Sequence, residues 1–75
     1  MIYATVRERS GRLPLILRWL GEGKSILALT LAWRLGVSTR TIYRDLDALR
    51  AAGYRIDTSA GMGGGVMLRG RPRRR

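Results

Sequence analysis

Leu35-Gly36-Val37-Ser38-Thr39-Arg40-Thr41-Ile42-Tyr43-Arg44-Asp45-Leu46-Asp47-Ala48-Leu49 is the stretch whose reading decides the fold. Ser38 is placed to cap a helix, because its hydroxyl can take the otherwise unpaired N–H of Thr41 while Gly36 lets the chain turn sharply before it. A helix is therefore predicted from Thr39 to Ala52, stopping at Gly53. Within it Ile42, Leu46 and Leu49 recur at spacings of four and three, so one stripe faces a core. With Ile42 at zero on a wheel of about 100° per residue, Arg40 falls at about 160° and Arg44 at about 200°, opposite that stripe. Thr39, Thr41 and Tyr43 surround them. The outer face of the helix start thus combines arginines, hydroxyls and a phenol, suited to base edges and phosphate oxygens, at a helix end that favours anions. The plainer reading of two exposed arginines, a solvating surface, stands beside this one.

Immediately upstream, Ala28, Leu31, Ala32 and Leu35 mark a second short amphipathic helix over Leu27 to Leu35, joined to the first by Gly36-Val37-Ser38. Two short helices around a tight glycine-containing turn make a helix-turn-helix pattern. The run Arg34 to Arg50, followed by Gly53-Tyr54 and Gly63-Gly64-Gly65, resembles the DeoR-type winged helix-turn-helix at the N-terminus of bacterial WYL-domain transcriptional regulators. The resemblance runs from about Ser10 to Leu68. It implies an α+β, mainly helical fold, a three-helix winged helix-turn-helix with a C-terminal β-hairpin wing. It further implies a regulator that binds double-stranded DNA, with residues 39–52 as a recognition helix in the major groove. On that reading Arg40 and Arg44 read bases or clamp phosphates, Thr39, Thr41 and Tyr43 assist, and the backbone at Ser38 faces a phosphate. Arg55 adds charge, and Gly63 and Gly64 let the wing approach a phosphate; a merely loose loop is the other reading of those glycines. Which arginine touches a base is left open by the periodicity.

The sequence departs from its relatives in the second helix. Where they carry a small polar cap and glutamates, this chain has Leu27, Leu29, Thr30 and Trp33. Loss of a cap costs about 1 kcal/mol, and Ser25 is the residue that would cap a slightly longer helix instead. Leu29 and Trp33 form an apolar ridge. Either Trp33 packs against Trp19 or the N-terminal segment, or the ridge meets a second protein. The second option supports the alternative function, a winged-helix module for protein interaction. Val66 and Met67 also stand where the relatives have an aromatic and a basic residue, so contacts through those side chains are not expected.

Composition narrows the function classes. Seventy-five residues allow one small domain with a core near the lower limit for independent folding, and leave no room for an enzyme's usual pocket. Without cysteine or histidine, thiolate sites, the commonest metal ligand and the commonest general base are all missing. No enzyme, no metal, no cofactor and no small-molecule pocket are expected. Fifteen basic residues against five acidic ones give a net charge of +10, so the default partner is a polyanion. Five arginines lie in the last seven residues, and the remainder still carries +5. Double-stranded DNA is the partner expected first, a homodimer is a candidate assembly, and single-stranded nucleic acid ranks last for want of a stacking platform. No apolar run is long enough to span a membrane, and a cytoplasmic protein is expected.

In chain order, Met1 to Val6 is a short apolar run, and Arg7 to Arg12 reads as a polar lead-in broken at Ser10-Gly11. Leu13, Ile16, Leu17 and Leu20 predict a first helix starting near Leu13, with Pro14 confined to its first turn, and ending at Gly21. Ile26 is the single apolar residue expected to pair beneath the wing. Tyr54 and Ile56 alternate with Arg55 and Asp57 as one strand, 58–65 is a turn, and Val66 to Leu68 returns. The predicted division is an N-terminal extension over 1–9, the winged helix-turn-helix over 10–68, and a basic disordered tail over 69–75. A linker and a sensing domain follow in the resembled regulators, so a sequence stopping at Arg75 reads as either a minimal binder or a shortened form.

Overall fold

The computed structural model describes residues 8–21, 23–59 and 65–73. Three helices and three strands follow one another: α1 (Arg9–Leu20), β1 (Ser25–Leu27), α2 (Ala28–Leu35), α3 (Thr39–Ala51), β2 (Arg55–Thr58) and β3 (Gly65–Gly70). The strands form one antiparallel sheet in the order β1-β3-β2. This is a winged helix, α+β and mainly helical, with β2 and β3 as the wing.

The core is built from the predicted stripe. Ile42, Leu46 and Leu49 of α3 are buried together with Ala28, Leu31, Ala32 and Leu35 of α2, Ile16 and Leu20 of α1, and Ile56, Val66 and Leu68 of the sheet. At roughly 1.5–3 kcal/mol for each fully buried large apolar side chain, this cluster is the main favourable contribution to folding. Ile26 pairs with Val66, tying the start of α2 to the base of the wing. Gly65 sits close to its neighbours: a Cβ there would lie 3.0 Å from Ser25 Oγ and 3.2 Å from Ser59 Oγ.

The ends of α2 and α3 close in the same way. Gly36 adopts φ 68°, with Val37 N–H bonded to Ala32 O at 3.0 Å. Gly53 adopts φ 103°, with Tyr54 N–H bonded to Leu49 O at 3.1 Å and Gly53 N–H to Arg50 O at 2.9 Å. Each is a left-handed turn that satisfies carbonyls left over at a helix end.

Four features depart from the sequence reading. Helix α1 begins at Arg9, so Ser10 and Gly11 do not break the chain and Pro14 lies in the second turn. Proline at that point removes one N–H from the helical ladder. The extra turn is held by bonds from Gly11 and Arg12 N–H to Glu8 O, and by ion pairs from Arg9 and Arg12 to α3. Ser25 lies in β1 rather than capping α2, whose N-cap position is Leu27, without a side-chain bond. Trp33 does not pack against Trp19: it is 75 % exposed, and Trp19 instead stacks with the guanidinium of Arg34, 5.3 Å from the ring centre. Finally, β3 continues through Arg69 and Gly70, which their charge and composition had placed in the tail. Gly70 pairs with Arg55 across a bulge, and Arg69 Nε reaches Asp57 Oδ2 at 2.6 Å. The expected extension up to residue 7 and the last two tail arginines lie outside the described residues.

Candidate nucleic-acid interface

The predicted cap is in place: Ser38 Oγ accepts the N–H of Thr41 at 3.1 Å and donates to Thr41 Oγ1 at 3.1 Å. The helix it starts presents Ser38, Thr39, Arg40 and Arg44 to solvent, with Tyr43 38 % exposed and Thr41 half-buried. These six residues therefore share one protruding surface, opposite the buried Ile42–Leu46–Leu49 stripe.

The charge on that surface is mainly positive. Helix α3 holds two acids, one exposed and one buried. Asp47 falls at about 140° on the wheel used above, so it shares the outer face with Arg40 and Arg44; its side chain is 73 % exposed and accepts from Arg50 Nη1 at 3.0 Å. Asp45 is fully buried, where it accepts Arg12 Nε at 2.5 Å and Arg12 Nη2 at 3.0 Å, and additionally Arg9 Nε at 3.2 Å. The hydrogen bond to Asp45 holds the Arg12 guanidinium above its ordinary pKa, the Coulombic attraction adding to it and burial opposing both. A buried charge is tolerable only when paired and hydrogen-bonded, and this fork meets that condition. With no acid in the first turn of α3, Arg40 and Arg44 act beside a helix end that itself favours anions.

Neither member of the buried pair was a candidate from the sequence. Asp45 sits on the flank of the apolar stripe, at about 300° on the wheel used above, and a carboxylate there requires a cation inside. Fifteen arginines and lysines leave that cation unidentifiable without coordinates.

Arg55 is not part of the α3 surface. A helix of thirteen residues is about 20 Å long, and Arg55 follows its far end. Its guanidinium lies over Gly70, where a Cβ would come within 2.8 Å of Nη2. Gly63 and Gly64 lie outside the described residues.

Comparison with known proteins agrees with this geometry. Over 43 residues, 57 % of this chain, the sequence is 49 % identical to the uncharacterized HTH-type transcriptional regulator YobV of Bacillus subtilis (strain 168), and it spans 14 % of that relative's length. No solved structure matches the chain. The family model described as an HTH domain matches residues 12–66, from the buried arginine of α1 to the middle strand of the sheet, and the chain belongs to the helix-turn-helix (HTH) domain family.

Proposed function

We propose that this chain is the DNA-binding module of a transcriptional regulator of the DeoR type found in WYL-domain proteins, acting in the cytoplasm. Helix α3 enters the major groove of double-stranded DNA. The observation that carries the reading is the outer face of α3, where Arg40 and Arg44 stand exposed while Asp45 is buried against Arg12 and the exposed Asp47 is paired with Arg50. Ser38, Thr39, Thr41 and Tyr43 supply auxiliary contacts, Arg55 supplies backbone charge from the wing's base, and Gly63 and Gly64 bring the wing tip to a phosphate. Both the similarity to a regulator named as HTH-type and the net charge of +10 support it.

Titration with a selected and a random duplex at two salt concentrations tests it. Arg44→Ala weakens binding by about 1–3 kcal/mol on the selected duplex alone if it reads a base, and about equally on both if it clamps a phosphate. The same comparison assigns Arg40. Full binding by the Arg40→Ala, Arg44→Ala double variant would overturn the placement of α3, and no duplex binding by the native chain at low salt would overturn the function.

The exposed Leu29 and Trp33 on α2 supply a surface for a second copy. Their area falls far short of the ~800 Å² per partner that stable complexes bury, so pairing occurs only when two copies occupy neighbouring half-sites on one duplex.

A further inference from the structure

Arg9, the first residue of α1, donates Nε–H to Asp45 Oδ1 at 3.2 Å. That oxygen already accepts Arg12 Nη2, and the other accepts Arg12 Nε, so the carboxylate is matched in charge and geometry without Arg9. The three groups carry one surplus positive charge. They are not equally accessible: the Arg12 side chain is 6 % exposed and that of Arg9 is 51 % exposed. Among the described residues Arg9 uses Nε alone, leaving both Nη groups without a partner.

The position of that charge matters more than its presence. A helical side chain leans over the turn N-terminal to its own Cα, so the Asp45 carboxylate lies over the turn of Thr41 and Ile42. Thr41 and Arg44 flank Asp45 on its solvent side, four residues before it and one residue before it. Arg9 is thereby held beside the first half of α3 rather than on its outer meridian. A guanidinium so placed stands where a strand's backbone passes, not where base edges lie, and its two Nη groups suit bidentate capture of a phosphate.

We infer that Arg9 is a further nucleic-acid-binding residue, which takes a backbone phosphate of the duplex while Asp45 aims it. This rests on the duplex-binding reading of α3. Arg12 is the structural partner of Asp45 and Arg9 the functional one, so one buried carboxylate both anchors α3 to α1 and orders a phosphate clamp.

The test titrates a random-sequence duplex with the native chain, Arg9→Ala and Arg9→Gln between about 50 and about 200 mM salt, alongside thermal melting of each free protein. Both variants are expected to melt near the native chain, because Arg12 still satisfies Asp45. Each should lose about 0.9 from the slope of log affinity against log salt, so the rise in salt costs it about threefold less affinity than it costs the native chain. A native slope in both variants would overturn the inference, leaving Arg9 a second counter-ion and nothing more, while the function of α3 stood. Should Arg9→Ala alone fail to fold, Arg9→Gln, which keeps a neutral donor for Asp45, decides the same point. Failure of the native chain to bind at the lowest salt would instead overturn the duplex-binding reading, and this inference with it.

Discussion

Arg12 and Asp45, 33 residues apart, meet inside the molecule as a two-point fork, Nε to Oδ2 at 2.5 Å and Nη2 to Oδ1 at 3.0 Å. Removing one partner strands the other. Asp45→Ala is expected to cost about 3–5 kcal/mol, a large part of the about 5–15 kcal/mol that holds a domain together. Replacing both, Arg12→Met with Asp45→Leu, should restore or exceed native stability; urea denaturation of the three chains checks this. The pH dependence follows from Arg12 being held above its ordinary pKa by Asp45. A raised folded value means the contribution is fully present below the ordinary arginine value and lost only above the folded one. Stability from this pair should therefore stay constant between about pH 7 and about pH 10.

Ser38→Ala removes the acceptor for Thr41 N–H. The expected cost is about 1 kcal/mol, a fall of about 4–8 °C in melting temperature for a domain of this size. An unchanged melting temperature would mean that water satisfies the first turn of α3 as well as the hydroxyl does.

Gly53 and Gly65 are both crowded, for different reasons, and should respond differently to alanine. At Gly53 the backbone is left-handed and a Cβ would meet Pro72 Cβ at 3.1 Å. Alanine there is strained whatever its neighbours do, and should cost more than about 1 kcal/mol. At Gly65 the obstacles are two serine hydroxyls, which can rotate aside, so the loss should be smaller. Chemical denaturation of the two variants ranks them.

Leu29→Ser with Trp33→Ser should leave stability within about 0.5 kcal/mol, because both side chains are exposed in the folded chain. On a duplex carrying two half-sites the same change should abolish cooperative binding while leaving single-site affinity intact. Sedimentation should find the native chain monomeric without DNA. A stable free dimer would contradict the small area of the ridge.

Helix α3 was legible because its signals are local: a serine cap, an apolar stripe at helical spacing and a glycine stop all lie within sixteen residues. Ile26 was legible through the winged-helix resemblance, in which a single apolar residue before the second helix pairs beneath the wing, and it does pair there. Where Arg12 and Asp45 were concerned, local reading failed, since a buried ion pair is a property of two segments and neither betrays its partner. The start of α1 was misplaced by the same blindness. Pro14 was given its usual position in a first turn, but the upstream turn persists because Arg9 and Arg12 are held from across the core. Trp33 was left between two readings, packed or exposed, and the structure decides for exposure because the packing positions of α2 are already filled by Ala28, Leu31, Ala32 and Leu35. The exposure of Arg40 and Arg44 followed from periodicity alone, whereas the pairing of Asp47 with Arg50 and the burial of Asp45 needed coordinates.

The sheet is threaded so that its middle strand, β3, is the last to be synthesised, while β1 precedes both helices of the motif. Neither flanking strand has its hydrogen-bonding neighbour until β3 begins to leave the ribosome. At translation speeds of about 5–20 residues per second, the two central helices exist for seconds as a nascent chain whose apolar underside has only Ile16 and Leu20 of α1 to close over it. Completion of β3 is thus the step that converts an incompletely covered, aggregation-prone intermediate into a finished domain.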